Sequence, residues 1–378
     1  MSLYADQTGL TRVADMVDRA GEDVAKAASH FDQHGEIAWV LDGIINTFQP
    51  NGDQIRADVL GHLNKAGKEA LPATAGAIVL ARDHYARTDQ ASAERLDSTF
   101  PAVDVAKEAK GVSSVTPGPD NRNQKMFADL VEPADRLKHV EYDDDAYAMN
   151  YKPKWHDFIS PSTVLRDAIY DVTAFAAWIG ICDRAYDPFE VILKPLCGDW
   201  VGMARVGTVL EQVSECLRDV GMNLSMLASW LPTVWDGNAA DAADAHLYRT
   251  IKSLRAAADS MQMMGAEYRS AAQGAYDIAD TVGGLLHDIA DAAIAAAAAG
   301  MVAGGSASAG VGLPVAALAG IFGMAEVWQV WNGVRTAMEY VAKLESLTAT
   351  LKSSTNGFGA VDGDYPLPAL PAVPALPA

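Results

Sequence analysis

Two apolar seams of helical period meet at Trp235-Asp236-Gly237, and a chain with that pattern has few folds open to it. Before the turn, Met203, Val206, Leu210, Val213, Leu217, Val220, Leu224, Leu227 and Leu231 recur in steps of three and four, the stripe of an amphipathic helix. Pro232 disfavours helical geometry at Leu231, Gly237 permits positive φ, and Asn238 reads as an N-cap. A second seam follows at once: Leu247, Ile251, Leu254, Ala258, Met261, Gly265, Tyr268, Ala272, Ala275, Ala279, Val282, Leu286 and Ile289. Neither stripe can be buried alone, so the two helices must fold back on each other as a hairpin.

Trp235-x-Gly237 at the turn of such a hairpin, with Tyr276-x-x-x-Asp280 on its second helix, resembles the WXG family of type VII (ESX) secretion substrates and its PE/PPE relatives. In that family the two motifs together form an export signal, and here they stand 276 − 235 = 41 positions apart. The Trp331-Asn332-Gly333 triplet repeats the W-x-G letters inside a segment that reads as plain helix, so the turn and the seams carry the resemblance. The Asp187-Pro188, Lys194-Pro195-Leu196 and Gly198-Asp199-Trp200 order ahead of the hairpin is similar to the lead-in of WXG-like regions in type VII-exported toxins.

The first hundred residues read as another hairpin. Leu10, Val13, Val17, Val24, Ala27 and Phe31 form one stripe, interrupted by Gly21. Residues 37–48 read as an extra turn, Asp53 as an N-cap, and Ile55, Val59, Leu63, Ala66 and Ala70 as the start of a second helix that Pro72 should kink before it resumes to Leu96. Near its end stands Tyr85-x-x-x-Asp89, whose i, i+4 spacing places phenol and carboxylate side by side on one helix face. By resemblance this half is PE-like or Esp-like, with the Tyr motif and no W-x-G turn.

Residues 99–160 read as a linker, turn-rich over 111–123, with a solvated acidic run at 141–145 that lacks calcium-loop spacing. Residues 161–299 form the WXG-like unit, opening on a helix over 164–181. Residues 292–325 carry no charge and are rich in Ala and Gly; they read as an apolar hairpin whose arms of about 17 residues would span roughly 25 Å, short of a ~30 Å hydrocarbon core. A closing helix follows within 300–352, and the Pro-rich tail 353–378 is expected to be extended and mobile.

A net charge of −20 and a pI near 4.7 leave no basic surface to neutralise phosphates, which argues against nucleic acid or anionic membranes as partners. Strand-type alternation is nearly absent, so the expected class is all-α: two long antiparallel hairpins packed as an elongated four-helix bundle, followed by an Ala/Gly-rich hairpin. Cys182, Cys197 and Cys216 read as free thiols, with one disulfide as the alternative. No basic region followed by an apolar run opens the chain, so no signal peptide is expected.

The sequence carries few of the patterns that catalysis or metal binding needs. There is no G-x-x-x-x-G-K-[ST], G-x-S-x-G or H-E-x-x-H, and His30 and His34 read as a solvated pair and not as metal ligands. The resulting expectation is a non-enzymatic type VII substrate with no cofactor or metal. It would be cytoplasmic before export and then secreted or at the cell surface, acting as a structural, carrier or host-interacting protein or as the export half of a toxin. Its expected partners are the secretion ATPase or a chaperone, and a WXG-type protein or a second copy. The competing expectation is a membrane-active protein that inserts 292–325. The expected signal residues are Tyr85, Asp89, Trp235, Gly237, Tyr276 and Asp280.

Overall fold

A computed structural model describes residues 4–39, 43–88, 90–112, 126–140, 189–303, 324–355 and 366–370, with short pieces between 170 and 187. The chain is all-α. Its helices are α1 (Gln7–His34), α2 (Gln49–Asn64), α3 (Leu71–Arg87), α4 (Gln90–Asp97), α5 (Val105–Ala109), α6 (Trp200–Trp230), α7 (Asn238–Ala303) and α8 (Met324–Thr355). Two-residue strands β1 (Tyr4–Ala5) and β2 (Trp235–Asp236) pair antiparallel, with Ala5 opposite Trp235.

The first helix is set at both ends by local chemistry. The Asp6 side chain accepts from the Thr8 N–H, and the Gly35 N–H donates to the Phe31 carbonyl. Its stripe is fully buried from Leu10 through Phe31. Gly21 interrupts the stripe because α1 crosses the second helix there: a Cβ on Gly21 would lie 3.2 Å from the Gly67 carbonyl oxygen, and one on Gly67 would lie 3.0 Å from that of Gly21. The kink expected at Pro72 takes the form of a π-helical stretch, Lys65–Ala70, joining α2 to α3. A wider turn absorbs the hydrogen bond that proline cannot make. Asp53 does not cap the second helix, which starts at Gln49 with proline in its first turn; its carboxylate instead accepts from Trp39 Nε1 at 3.0 Å.

In the second hairpin, α6 is capped by Asp199, whose Oδ1 accepts from the Gly202 N–H at 2.8 Å and whose Oδ2 accepts from Ala38 N–H at 3.0 Å. Trp200 is buried, and its indole donates to the Leu196 carbonyl. The helix ends before Pro232 as expected, in a 3-10 turn over Leu231–Thr233. The antiparallel partner α7 approaches α6 most closely at Gly207 and Gly265. A Cβ on Gly207 would sit 2.7 Å from the Gly265 carbonyl oxygen, and one on Gly265 would sit 2.6 Å from the Gly207 carbonyl oxygen. Ser214 Oγ donates to the Ala258 carbonyl across the same seam.

The hairpins share one core. α1 packs against both α3 and α6. His30 meets Gln212 at 2.8 Å and Arg205 donates to the Glu36 carbonyl, so α1 and α6 run antiparallel. Phe48 stacks edge-on against the buried Tyr268, and Thr74 reaches His246, which sets the second helix against α7. Each of the four long segments therefore runs antiparallel to two others. At 66 residues α7 is about 100 Å long, far longer than α6. Its remaining length is covered by α8, antiparallel to it, with Gly333 against Ile289 and Gly274 against Leu347. The Trp331-Asn332-Gly333 triplet lies in the interior of α8, as plain helix.

The charge-free segment differs from expectation at its start, because α7 continues unbroken through Ala303 and no turn separates it from the hairpin. An Ala-rich run keeps high helix propensity whatever surrounds it. Residues 304–323 lie outside the described residues, as do the acidic run at 141–145 and nearly all of the helix expected over 164–181. No helix among the described residues is long and apolar enough to cross a membrane. Part of the 99–160 segment packs on the bundle. Asn223 accepts from the Leu130 and Val131 N–H groups and donates to the Val131 carbonyl, while Arg136 pairs with the nearly buried Asp219 at 2.6 Å. His139 from this segment joins His34 and His30, with ring centroids 5.5 and 4.9 Å apart along the row. The two helix histidines thus lie at a junction and not on an open face, with pKa values lowered first by burial.

Candidate functional site

Trp235 occupies β2, two residues before Gly237, whose φ of +132° is accessible only to glycine at low cost. The indole is 4 % exposed, so it serves as a plug between the hairpins and offers little surface to a partner. Its buried Nε1 makes no hydrogen bond of ordinary geometry, although the Tyr85 phenol lies close enough to interact with it. Three neighbours close the turn around it. Tyr4–Ala5 pairs with β2, the Asp6 N–H donates to the Val234 carbonyl at 2.8 Å, and Val234 presses so closely on α1 that a Cβ at Gly9 would lie 2.5 Å away.

A fourth neighbour is Tyr85. Its ring meets the indole edge-on, with centroids 6.2 Å apart and planes at 73°. That is the geometry in which one ring's positive edge faces the other's negative face, contributing about 0.5–1.5 kcal/mol beyond area burial. The phenol is half-buried, and burial raises its pKa above the ordinary value. The Tyr motif of the first hairpin and the W-x-G turn of the second are thereby brought together at one end of the bundle.

Asp89 lies outside the described residues. The helix carrying Tyr85 ends at Arg87, with Thr88 extended, so the helix face expected to join positions 85 and 89 stops short of Asp89. A break at Thr88 also divides what reads as one helix up to Leu96 into α3 and α4. Tyr276 and Asp280 are on α7, half-buried and exposed respectively, about 60 Å along the helix from Trp235. The structure does not bring this second Tyr motif to the turn.

Asn238 is not the N-cap of α7. It is the first helical residue, and the cap comes from a distant segment: Asp97, at the end of α4, accepts from the N–H groups of Asn238 and Ala239, each at 2.9 Å. Two more carboxylates, Asp236 and Asp241, are exposed beside it. The pKa of Asp241 is raised by burial first and then by Asp236 and Asp97. Asp244, one turn further, is buried with an unpaired Oδ1, and burial pushes its pKa up to about 7. The turn thus carries an aromatic plug under an acidic rim. Among the described residues no group of three His, Cys, Asp or Glu side chains could hold a metal ion.

Asp97, Tyr4 and Ala5 escape a sequence reading because each works through a partner more than a hundred positions away. No local pattern marks them.

Compared with known proteins, the chain matches no family model, no curated protein and no solved structure.

Proposed function

We propose that the protein is a non-enzymatic substrate of a type VII secretion system, exported as a folded bundle and read at the end where Tyr85 meets Trp235. The observation that carries this reading is the edge-on contact of those two rings across the two hairpins. Two recognition motifs of one family, on separate hairpins and 150 positions apart in sequence (235 − 85), have no local reason to coincide in space. On this reading the first hairpin is the built-in partner of the second. A separate WXG-type helper chain is then unnecessary, and the remaining partner is the secretion ATPase or a chaperone.

Because the indole is buried, the proposed recognition surface is Tyr85 with the carboxylates around the turn, and Asp89 enters this reading as the sequence motif that follows Tyr85. Asp280, at the far part of α7, plays no part in it. The test is export into culture filtrate, compared with cell lysate, in cells with and without the type VII ATPase. Wild-type protein should reach the filtrate only with the ATPase. Asp89→Ala should remain in the lysate at normal abundance, and Asp280→Ala should be exported normally. Normal export of the Asp89→Ala, Asp280→Ala double variant would overturn the assignment.

A further inference from the structure

The C-terminal sequence has a period that the secretion reading does not use. From Pro368 onward proline recurs at every third position (368, 371, 374, 377), and Leu367, Leu370, Val373 and Leu376 recur with the same period. A polyproline II helix has three residues per turn, so such a pattern places its aliphatic side chains along one edge, and its proline positions lack N–H groups for internal pairing.

Residues 366–370 are described, belong to no helix or strand and, contrary to the mobile tail expected, contact the bundle. Leu367 is only 8 % exposed and belongs to the continuous hydrophobic core, whereas Leu370 is 40 % exposed. The backbone of Ala369 faces His246 of α7. His246 is itself buried, with Nε2 3.0 Å from Thr74 Oγ1 of α3 and with a buried Nδ1 that makes no hydrogen bond of ordinary geometry. Leu367 is thus an aliphatic anchor set into the shared core, beside a polar side chain that faces the tail backbone; a pre-extended proline-rich segment loses little conformational entropy on docking in this way.

We propose that the face of the bundle formed by α3 and α7 around Thr74 and His246 is a receptor for an extended, proline-punctuated segment with an aliphatic residue at every third position, and that residues 366–370 are its tethered occupant. The tether supplies the tail at an effective concentration in the millimolar range, so a free segment of the same kind is excluded while the tail is seated. The threefold repeat also offers the receptor equivalent anchors, so one substitution in the tail can be bypassed by a shift of three residues.

The test uses the full chain and a fluorescein-labelled peptide of residues 364–378, read by anisotropy. The native chain should not bind the peptide at 100-fold lower concentration than the tether provides. A chain in which Leu367, Leu370, Val373 and Leu376 are all replaced by serine should bind it saturably, at least tenfold more tightly than the native chain does, with helical dichroism and melting showing that the bundle is intact. A peptide carrying the same four serines should bind neither chain. Failure of the wild-type peptide to bind the folded four-serine chain, or equal binding to both chains, would overturn the proposal.

Discussion

Asp97 closes the N-terminus of a helix to which it does not belong, accepting from the backbone N–H groups of Asn238 and Ala239 at 2.9 Å each. Both donors would otherwise lack intrahelical acceptors, and the carboxylate sits at the positive end of the α7 dipole. Asp97→Ala should therefore lower stability by about 1–2 kcal/mol in urea titration, the range for loss of an N-cap. Asp97→Asn should retain part of this, since its amide oxygen still accepts. An unchanged midpoint for Asp97→Ala would show that solvent replaces the cap without loss.

The Gly207–Gly265 crossing separates two kinds of helical glycine. Gly265→Ala places a methyl group 2.6 Å from a backbone carbonyl oxygen that cannot rotate away, so α6 and α7 must move apart. A loss of about 1–3 kcal/mol is expected from such overpacking. Gly76, in α3, has nothing within 4 Å of its notional Cβ, and Gly76→Ala should raise stability by about 0.5–1 kcal/mol through helix propensity alone. Thermal melts of the two variants should move in opposite directions.

Tyr85 and Trp235 should be energetically coupled. In a double-mutant cycle with Tyr85→Ala and Trp235→Ala, the coupling should be about 0.5–1.5 kcal/mol. Trp235→Ala alone should cost about 3–5 kcal/mol, as for removal of a buried indole. Zero coupling would mean that the two rings contribute to the turn independently.

Asp244 makes stability depend on pH in a direction opposite to that of three histidines whose pKa values are lowered. Its pKa rises from near 3.8 to about 7 on folding, so its contribution is full below pH 3.8 and is lost as pH rises through 7. His30, His34 and His246 have lowered pKa values, and their contribution is present above pH 6.5 and lost as pH falls. Comparing Asp244→Asn with the parent cancels the histidines. The variant should match the parent near pH 4 and exceed it by a few kcal/mol at pH 8. A difference independent of pH would exclude burial of the charge as its cause.

The three thiols should react in a fixed order. Cys197 is exposed, Cys182 is half-buried, and Cys216 is buried with its pKa pushed up to about 12. Since the thiolate is the nucleophile, a maleimide at pH 7.5 should label Cys197 first and Cys216 only on unfolding. Rapid labelling of Cys216 in the native protein would indicate frequent opening between α1 and α6.

The parts of this fold legible in the sequence are those where one face repeats locally. The stripes of α1, α6 and α7 follow from period alone, because every third or fourth side chain must leave water together. The ends of the helices are much less legible: the local caps expected at Asp53 and Asn238 do not form, Asp199 caps α6 without being read as a cap in the sequence, and Asp97 acts across 141 positions and leaves no trace near Asn238. The two Tyr motifs are equivalent as letters, and spacing favours Tyr276 as the companion of Trp235. Only the return of α3 along α1 brings Tyr85 to the indole instead. Gly265 reads as an ordinary member of a seam and Gly207 is not singled out at all, although their missing side chains set the distance between the helices.

The pairing of Tyr4–Ala5 with Trp235–Asp236 has a temporal consequence. The first strand leaves the ribosome about 230 residues before its partner, which at roughly 5–20 residues per second is a delay on the order of ten to fifty seconds. Throughout that interval α1 can fold against α3, but its side facing α6 stays bare. The W-x-G turn is thus the clasp of a cotranslational closure: until it emerges, the nascent chain displays an open apolar flank that a holdase chaperone can occupy.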